Sequence, residues 1–240
     1  MTGRTVLITG ANKSIGYETA RQLGRLGYRI WLGSRDAGRG ALAAETLSSE
    51  GIDVRAIAID VTDDDSVQSA AATVQAADGK LDVLINNAGI PGRYAAPGEQ
   101  NLSEIETVYQ TNVFGPIRVT QAFAPLLKAA DNARVVNMSS GVGSLTLITD
   151  PTSLFSTVNL LAYTSSKVAL NAVTVSFAKE FEPFEIKVNA VEPGHVRTDL
   201  NGNSGFLTPE EGAETAIKMA LIDKSGPTGG FFGSHGRQPW

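Results

Sequence analysis

The 240-residue chain has no cysteine. Disulfides, thiolate metal sites and thiol catalysis are therefore excluded, and the composition fits a reducing compartment. It also lacks an uninterrupted apolar run near the roughly 20 residues that a membrane-spanning helix needs. The N-terminus runs from Met1 through Arg4 directly into Val6-Leu7-Ile8, without the charged and apolar regions of a signal peptide. There is no basic excess: 20 Lys and Arg stand against 25 Asp and Glu, a net charge of −5. That balance argues against a surface built for nucleic acid. Only two histidines occur, and no His/Asp/Glu cluster has metal-ligand spacing, so no metal is expected. A soluble cytoplasmic protein is the expectation. With 42% hydrophobic residues the chain can bury a large core. No linker, low-complexity run or repeat divides it, and 1–240 reads as a single domain.

What is present is an alternation. Short apolar runs at Thr5–Thr9, Arg29–Gly33, Val54–Ile59, Leu81–Ile85, Arg134–Met138 and Ile186–Val191 read as buried parallel strands. Helical patterns fall between them, near Tyr17–Leu26, Ala41–Ser49, Thr62–Ala77, Leu102–Ala130 and Tyr163–Phe181, and another runs from Thr208 to about Asp223. Thr62 is a candidate N-cap, and Asn112, Gly115 and Pro116 mark a bend. Gly229–Gly233 is a candidate last strand; 234–240 is unassigned. This order predicts an α/β, Rossmann-type doubly wound parallel sheet of about seven strands with helices on both faces. Ligands then sit at the carboxyl ends of the strands. Val142–Leu160 contains Asp150-Pro151 and reads as a loop with at most short helical pieces. The glycines and asparagines of Gly194–Leu207 suggest a mobile flap over a site.

Three stretches carry candidate chemistry. Gly10-Ala11-Asn12-Lys13-Ser14-Ile15-Gly16 joins the first strand to the first helix, an arrangement that offers backbone N–H groups to phosphate. The second strand ends at Ser34-Arg35-Asp36, where a Rossmann-type unit meets the adenosine ribose. Lys13, Arg35 and Arg39, converging there on an acidic protein, point to the 2′-phosphate of NADP. Tyr163 and Lys167 stand four apart on one helix face, where a cation favours the phenolate.

In order, these motifs resemble the short-chain dehydrogenases/reductases, in the compact single-domain branch and near its NADPH-dependent carbonyl reductases. Thr9-Gly10 to Gly16 corresponds to the TGxxxGxG loop, with Ser14 in place of the middle glycine. Asn86-Asn87-Ala88-Gly89 is the NNAG motif, and Pro193-Gly194 with Thr198 matches PGxxxT. The resemblance implies a catalytic tetrad of Asn112, Ser140, Tyr163 and Lys167. Ser139 adjoins Ser140, and the position before the following glycines selects Ser140. Implied NADP(H) contacts begin with Gly10, Asn12, Lys13, Ser14, Ile15 and Gly16, then Ser34, Arg35 and Arg39. They continue with Asp60, against the adenine, and Val61, then Asn87, Ala88 and Gly89. Tyr163, Lys167, Pro193, Gly194, Val196 and Thr198 complete the set.

The activity implied is hydride transfer from NADPH to a ketone or aldehyde carbonyl, reversible as alcohol oxidation. Tyr163 is the proton donor. Lys167 lowers the Tyr163 pKa and bonds the nicotinamide ribose. Ser140 positions the carbonyl oxygen, and Asn112 holds a water linking Lys167 to solvent. A non-catalytic NADP-binding sensor on the same fold is the alternative. Twenty-three positions separate Ser140 from Tyr163, like a shortened form of the insertion in monomeric carbonyl reductases. The insertion brings Leu145, Leu147, Ile148, Leu154 and Phe155 either to an apolar substrate wall or to packing on the core. Loops at about 91–98, 141–160 and 194–207 are the expected substrate walls, and their content suggests a hydrophobic carbonyl compound. His195 lines that pocket or lies on the flap surface. A homo-oligomer is possible, with the insertion reshaping the usual contact.

Overall fold

Alternate residues of each strand are committed to opposite faces of one sheet, and that commitment organises the molecule. The computed structural model describes residues 3–240. The first half runs β1 (Thr5–Ile8), α1 (Ser14–Arg25), β2 (Arg29–Ser34), α2 (Ala37–Ser49), β3 (Val54–Ala58), α3 (Asp64–Asp78), β4 (Val83–Asn86), α4 (Leu102–Tyr109) and α5 (Gly115–Lys128). There follow β5 (Arg134–Met138), α6 (Leu145–Thr149), α7 (Leu161–Phe181), β6 (Lys187–Val191), α8 (Pro209–Ala220), β7 (Phe231–Gly233) and β8 (Gly236–Gln238). Among the described residues the sheet has eight strands in the order β3-β2-β1-β4-β5-β6-β7-β8. Every pairing is parallel except β7 with β8.

Leu7, Leu84, Val135 and Val188 pack on one face against Val67 of α3, Phe123 of α5 and Phe177 of α7. Val6, Ile8, Ile85 and Val136 pack on the other against Leu23 of α1, Leu47 of α2 and Ala216 of α8. The strand order reverses between β1 and β4, so a crevice opens beyond their carboxyl ends. Among the described residues no helix is long and apolar enough to cross a membrane.

Four local features depart from expectation. The sheet has an eighth strand where none was assigned: Gly236, at φ 107°, lets the chain reverse into a hairpin. α2 begins at Ala37, four residues early, because the Asp36 side chain accepts the Arg39 N–H and starts the helix despite Gly38 and Gly40. The N-cap of α3 is Asp63, which accepts from Ser66 N–H; the Thr62 hydroxyl donates instead to Asp60 Oδ1 at 2.7 Å. The bend between α4 and α5 is a π-helical turn, Gln110–Phe114. In the long segment before α7, Ser144 caps the short α6, accepting from Leu147 N–H. The Trp240 carbonyl accepts from Thr146 N–H and Oγ1 at 3.1 and 2.7 Å, while its ring stacks on Phe231. The C-terminal hairpin thereby braces the insertion.

Candidate active site

The i, i+4 spacing on α7 brings Tyr163 and Lys167 to one side of the helix, with Lys167 Nζ 5.5 Å from the Tyr163 ring centre. Lys167 is buried, and its ammonium donates to the Met138 carbonyl at the end of β5, 2.7 Å away. Burial pushes Lys167 down to about 8. Burial also pushes Tyr163 up to about 12; the Ser140 hydroxyl opposes that rise and the nearby Tyr94 adds to it. The expected lowering of Tyr163 by Lys167 is therefore reversed among the protein's own groups. Desolvation sets the direction, and the Lys167 Nζ is turned to a carbonyl. At neutral pH Tyr163 holds its proton firmly.

This pair makes a pH prediction. Lys167 ionises lower in the folded chain than its ordinary 10.5, so the unfolded chain binds more protons between about 8 and 10.5. Stability therefore rises with pH through that window, and the penalty for a buried ammonium is complete below it. Tyr163, raised from 10.0 to about 12, acts in the opposite sense and only above pH 10. Urea unfolding at pH 7.5 and 9.5 is expected to show a gain on the order of 1–2 kcal/mol that Lys167→Met abolishes. An equal gain in the variant assigns it to other groups.

Ser139 and Ser140 separate cleanly. Ser139 is buried and its hydroxyl donates to Asn171 Oδ1 at 2.7 Å, so it is spent on packing α7. Ser140 is half-buried beside Tyr163. Asn112 is fully buried in the π-helical turn. Its Oδ1 accepts the Ile90 N–H at 2.9 Å, and its Nδ2 donates to the Ile90 carbonyl and to Ser166 Oγ at 2.9 and 3.1 Å. Both ends of its amide are engaged, so the side chain clamps the exit from β4 to α7.

The cofactor-loop residues are laced to the end of β4. Asn87 Nδ2 donates to the carbonyls of Thr9 and Gly10 at 2.8 and 3.1 Å. Thr9 Oγ1 accepts from the N–H groups of Asn87 and Ala88 at 3.0 Å. Gly10 has φ 64°, and a Cβ there would stand 3.0 Å from Ala88 Cα. Gly89 passes close to Asn112 and Lys167.

Ser14 is the unusual member. It sits at φ 55°, a left-handed conformation that costs a side-chain-bearing residue about 1–2 kcal/mol. Its hydroxyl is buried with no hydrogen-bond partner. Lys13, the N-cap of α1, makes no side-chain cap bond. An orphaned hydroxyl beside an uncapped helix N-terminus fits a phosphate group. Ser14→Gly is expected to raise stability by about 1 kcal/mol, read as a higher urea midpoint, and to weaken dinucleotide binding less than tenfold.

The remaining predicted contacts divide. Arg35 and Arg39 are exposed at the end of β2, with Arg39 paired to Asp36 at 3.3 Å. Ser34 is buried and its hydroxyl donates to the Asp36 carbonyl, so its side chain holds the turn. Lys13 does not join the arginines; its Nζ pairs with Asp199 Oδ2 in the 194–207 flap, at 2.5 Å. Asp60 accepts from Thr62, and the Val61 carbonyl accepts from Arg118. Asn12 and Ile15 are half-buried in the loop. Val196 is buried and bridges to Leu207, Gly194 turns at φ 80° beneath the Leu207 side chain, Pro193 is half-buried before it, and Thr198 precedes a short 3-10 turn. His195 is exposed, edge-on to Phe206 within the flap.

Of the insertion's apolar residues, Phe155 packs against the residue after Ser140. Its ring lies on Gly141, with atoms 2.1–2.7 Å from where a Cβ would be. Leu154 is 88% exposed. Leu145 and Ile148 line a separate cavity of about 860 Å³, together with Tyr109, Leu161, Thr164 and Val168. Tyr94 and Asp199 belong to two of the expected wall loops, but their individual partners were not anticipated; Tyr94 neighbours Tyr163 and donates to the Leu200 carbonyl at 3.2 Å. Neither carries a sequence signal.

A family profile described as short chain dehydrogenase matches residues 4–205. The chain is 36% identical to (+)-neomenthol dehydrogenase of Arabidopsis thaliana, over 96% of each protein. It is 32% identical to salutaridine reductase of Papaver bracteatum, over 95% of this chain and 94% of that one. Among solved structures, NADPH-bound carbonyl reductase from chicken fatty liver superposes with a TM-score of 0.87 at 29% identity, covering 100% of both chains. Carbonyl reductase Sniffer of Drosophila melanogaster superposes with a TM-score of 0.88 at 28% identity, over 99% of this chain and 100% of that one.

Proposed function

This chain belongs to the short-chain dehydrogenase/reductase family, and we propose that it uses NADPH to reduce the carbonyl of an apolar ketone or aldehyde. The observation that carries this reading is a tyrosine held beside a serine hydroxyl at the end of β5, with a buried lysine alongside whose ammonium donates to the Met138 carbonyl. When bound, the reduced nicotinamide supplies the hydride. The Ser140 hydroxyl donates to the carbonyl oxygen and fixes its position. Tyr163, pushed up to about 12 in the free protein, arrives protonated and donates to the oxygen as it gains charge. That state suits reduction, since alcohol oxidation would need the phenolate. Lys167 supplies a cation on the tyrosine's helix face and a donor toward the ribose. Asn112 serves by fixing the strand end against α7.

The orphaned Ser14 hydroxyl and the first turn of α1 suit the pyrophosphate, and exposed Arg35 and Arg39 suit a 2′-phosphate. The relatives named for neomenthol and salutaridine make cyclic ketones the first panel to try. The test is oxidation of NADPH and of NADH with that panel and with simple aldehydes. NADPH is expected to be preferred at least tenfold in kcat/KM. Preference for NADH, or no turnover of any carbonyl, would overturn the reading.

A further inference from the structure

Lys13 and Asp199 lie 186 positions apart in sequence and 2.5 Å apart in the fold. One belongs to the loop at the head of α1, the other to the flap between β6 and α8. The flap is stitched into a unit. Arg197 N–H donates to the Leu207 carbonyl at 2.9 Å, and Leu207 N–H donates to the His195 carbonyl at 3.1 Å. Gly205 presses so closely on Val196 that an added Cβ would lie 2.2 Å from its carbonyl carbon. Such a unit moves as one piece about its ends, at Gly194 and at Thr208 before α8.

Among the described residues, two polar contacts tie it to the opposing walls: Lys13–Asp199 on the α1 side, and the Tyr94 hydroxyl with the Leu200 carbonyl on the other. Beneath it runs a cavity of about 210 Å³ lined by Lys13, Ser14, Arg197 and Thr198. This cavity contains the residue whose buried hydroxyl lacks a partner.

We propose that the Lys13–Asp199 pair is a latch holding the 194–207 flap across the cofactor cleft, with Asp199 the positioning residue that sets how fast cofactor leaves. The proposal rests on the cofactor reading above for its consequence, though not for the latch itself. Both side chains are more than half exposed, at 56% and 65%. Exposed ion pairs are weak and salt-sensitive, which suits a closure that must reopen on every turnover. The Asp199 carboxyl is held below the usual carboxylate range by its bond to Lys13.

Asp199→Asn and Asp199→Glu in the full chain separate the possibilities. Without cofactor, trypsin is expected to nick the Asn variant at Arg197, inside the flap, about three to ten times faster than wild type. The Glu variant, keeping the charge, stays near wild type. By stopped-flow fluorescence, NADPH and NADH are both expected to leave the Asn variant about three to ten times faster. High salt brings the wild type toward the same rate. Unchanged nicking overturns the latch, as does unchanged release. So does tighter binding of NADPH alone, which would mean that Asp199 only withholds Lys13 from the 2′-phosphate. If neither cofactor binds any variant, the functional reading fails and the nicking rates alone decide the latch.

Discussion

Tyr163→Phe is expected to lower kcat for ketone reduction by about 10²–10⁴-fold, the usual worth of a positioned general acid. NADPH affinity should stay within a few-fold of wild type. The substitution keeps the ring that lies near Lys167 and removes only the hydroxyl that neighbours Ser140 and Tyr94. Hydride transfer to a carbonyl leaves an alkoxide, and the variant lacks the positioned donor that would neutralise it. Single-turnover rates with fluorescence-measured NADPH affinity make the distinction. Retained turnover would transfer the donor's role to Ser140 or Tyr94, the hydroxyls nearest by.

The second large effect is expected at Gly16. A Cβ there would lie 2.5 Å from Asn87 Nδ2 and 3.0 Å from both Ala11 Cα and the Gly10 carbonyl oxygen. The backbone neighbours cannot yield, so the Asn87 amide must. That amide is the bracket joining Thr9 and Gly10 to the end of β4. Gly16→Val therefore breaks two part-buried hydrogen bonds and overpacks the turn, at a cost of about 1–3 kcal/mol in stability. Because the same bracket shapes the loop proposed to face the phosphates, NADPH affinity should fall about 10–100-fold. Asn87→Ala is the control: it loses the bracket without the clash, and should reproduce much of the affinity loss at a smaller cost in stability. Normal NADPH binding by both variants would show that the bracket does not shape the cleft.

These two residues also show what was legible in the sequence. Gly10, Gly16 and Asn87 are recognisable because backbone geometry permits few residue types where two chain segments nearly touch. Helical spacing places Tyr163 and Lys167 on one face, but such pairs are common on helices, and the resemblance of the whole motif order is what marks this one. The sheet followed from alternating apolar runs, since buried parallel strands leave little choice of residue.

What escaped was set by long-range partners. Nothing local marks Asp199 as the partner of Lys13, or Tyr94 as a neighbour of Tyr163. Thr62 and Asp63 are both competent N-caps, and only the fold of Asp60 onto Thr62 decides between them. The direction of the tyrosine's pKa was missed because a neighbouring cation is visible in sequence and desolvation is not. The insertion was ambiguous because leucines read alike whether they line a substrate or another cavity. Phe155 of that set lies on Gly141.

The order of strands has a consequence for company as well as chemistry. A parallel sheet ending in a long bare strand would offer its unpaired N–H and C=O groups to any passing chain. Here one border is β8, three residues long, antiparallel and carrying exposed Arg237. The other is β3, where Arg55 is exposed and its guanidinium caps the Trp31 ring at 5.5 Å. Both borders thus present a charge where a foreign strand would have to pair. A crowded solution of this protein should resist growth of its sheets from molecule to molecule, whatever the rest of its surface does.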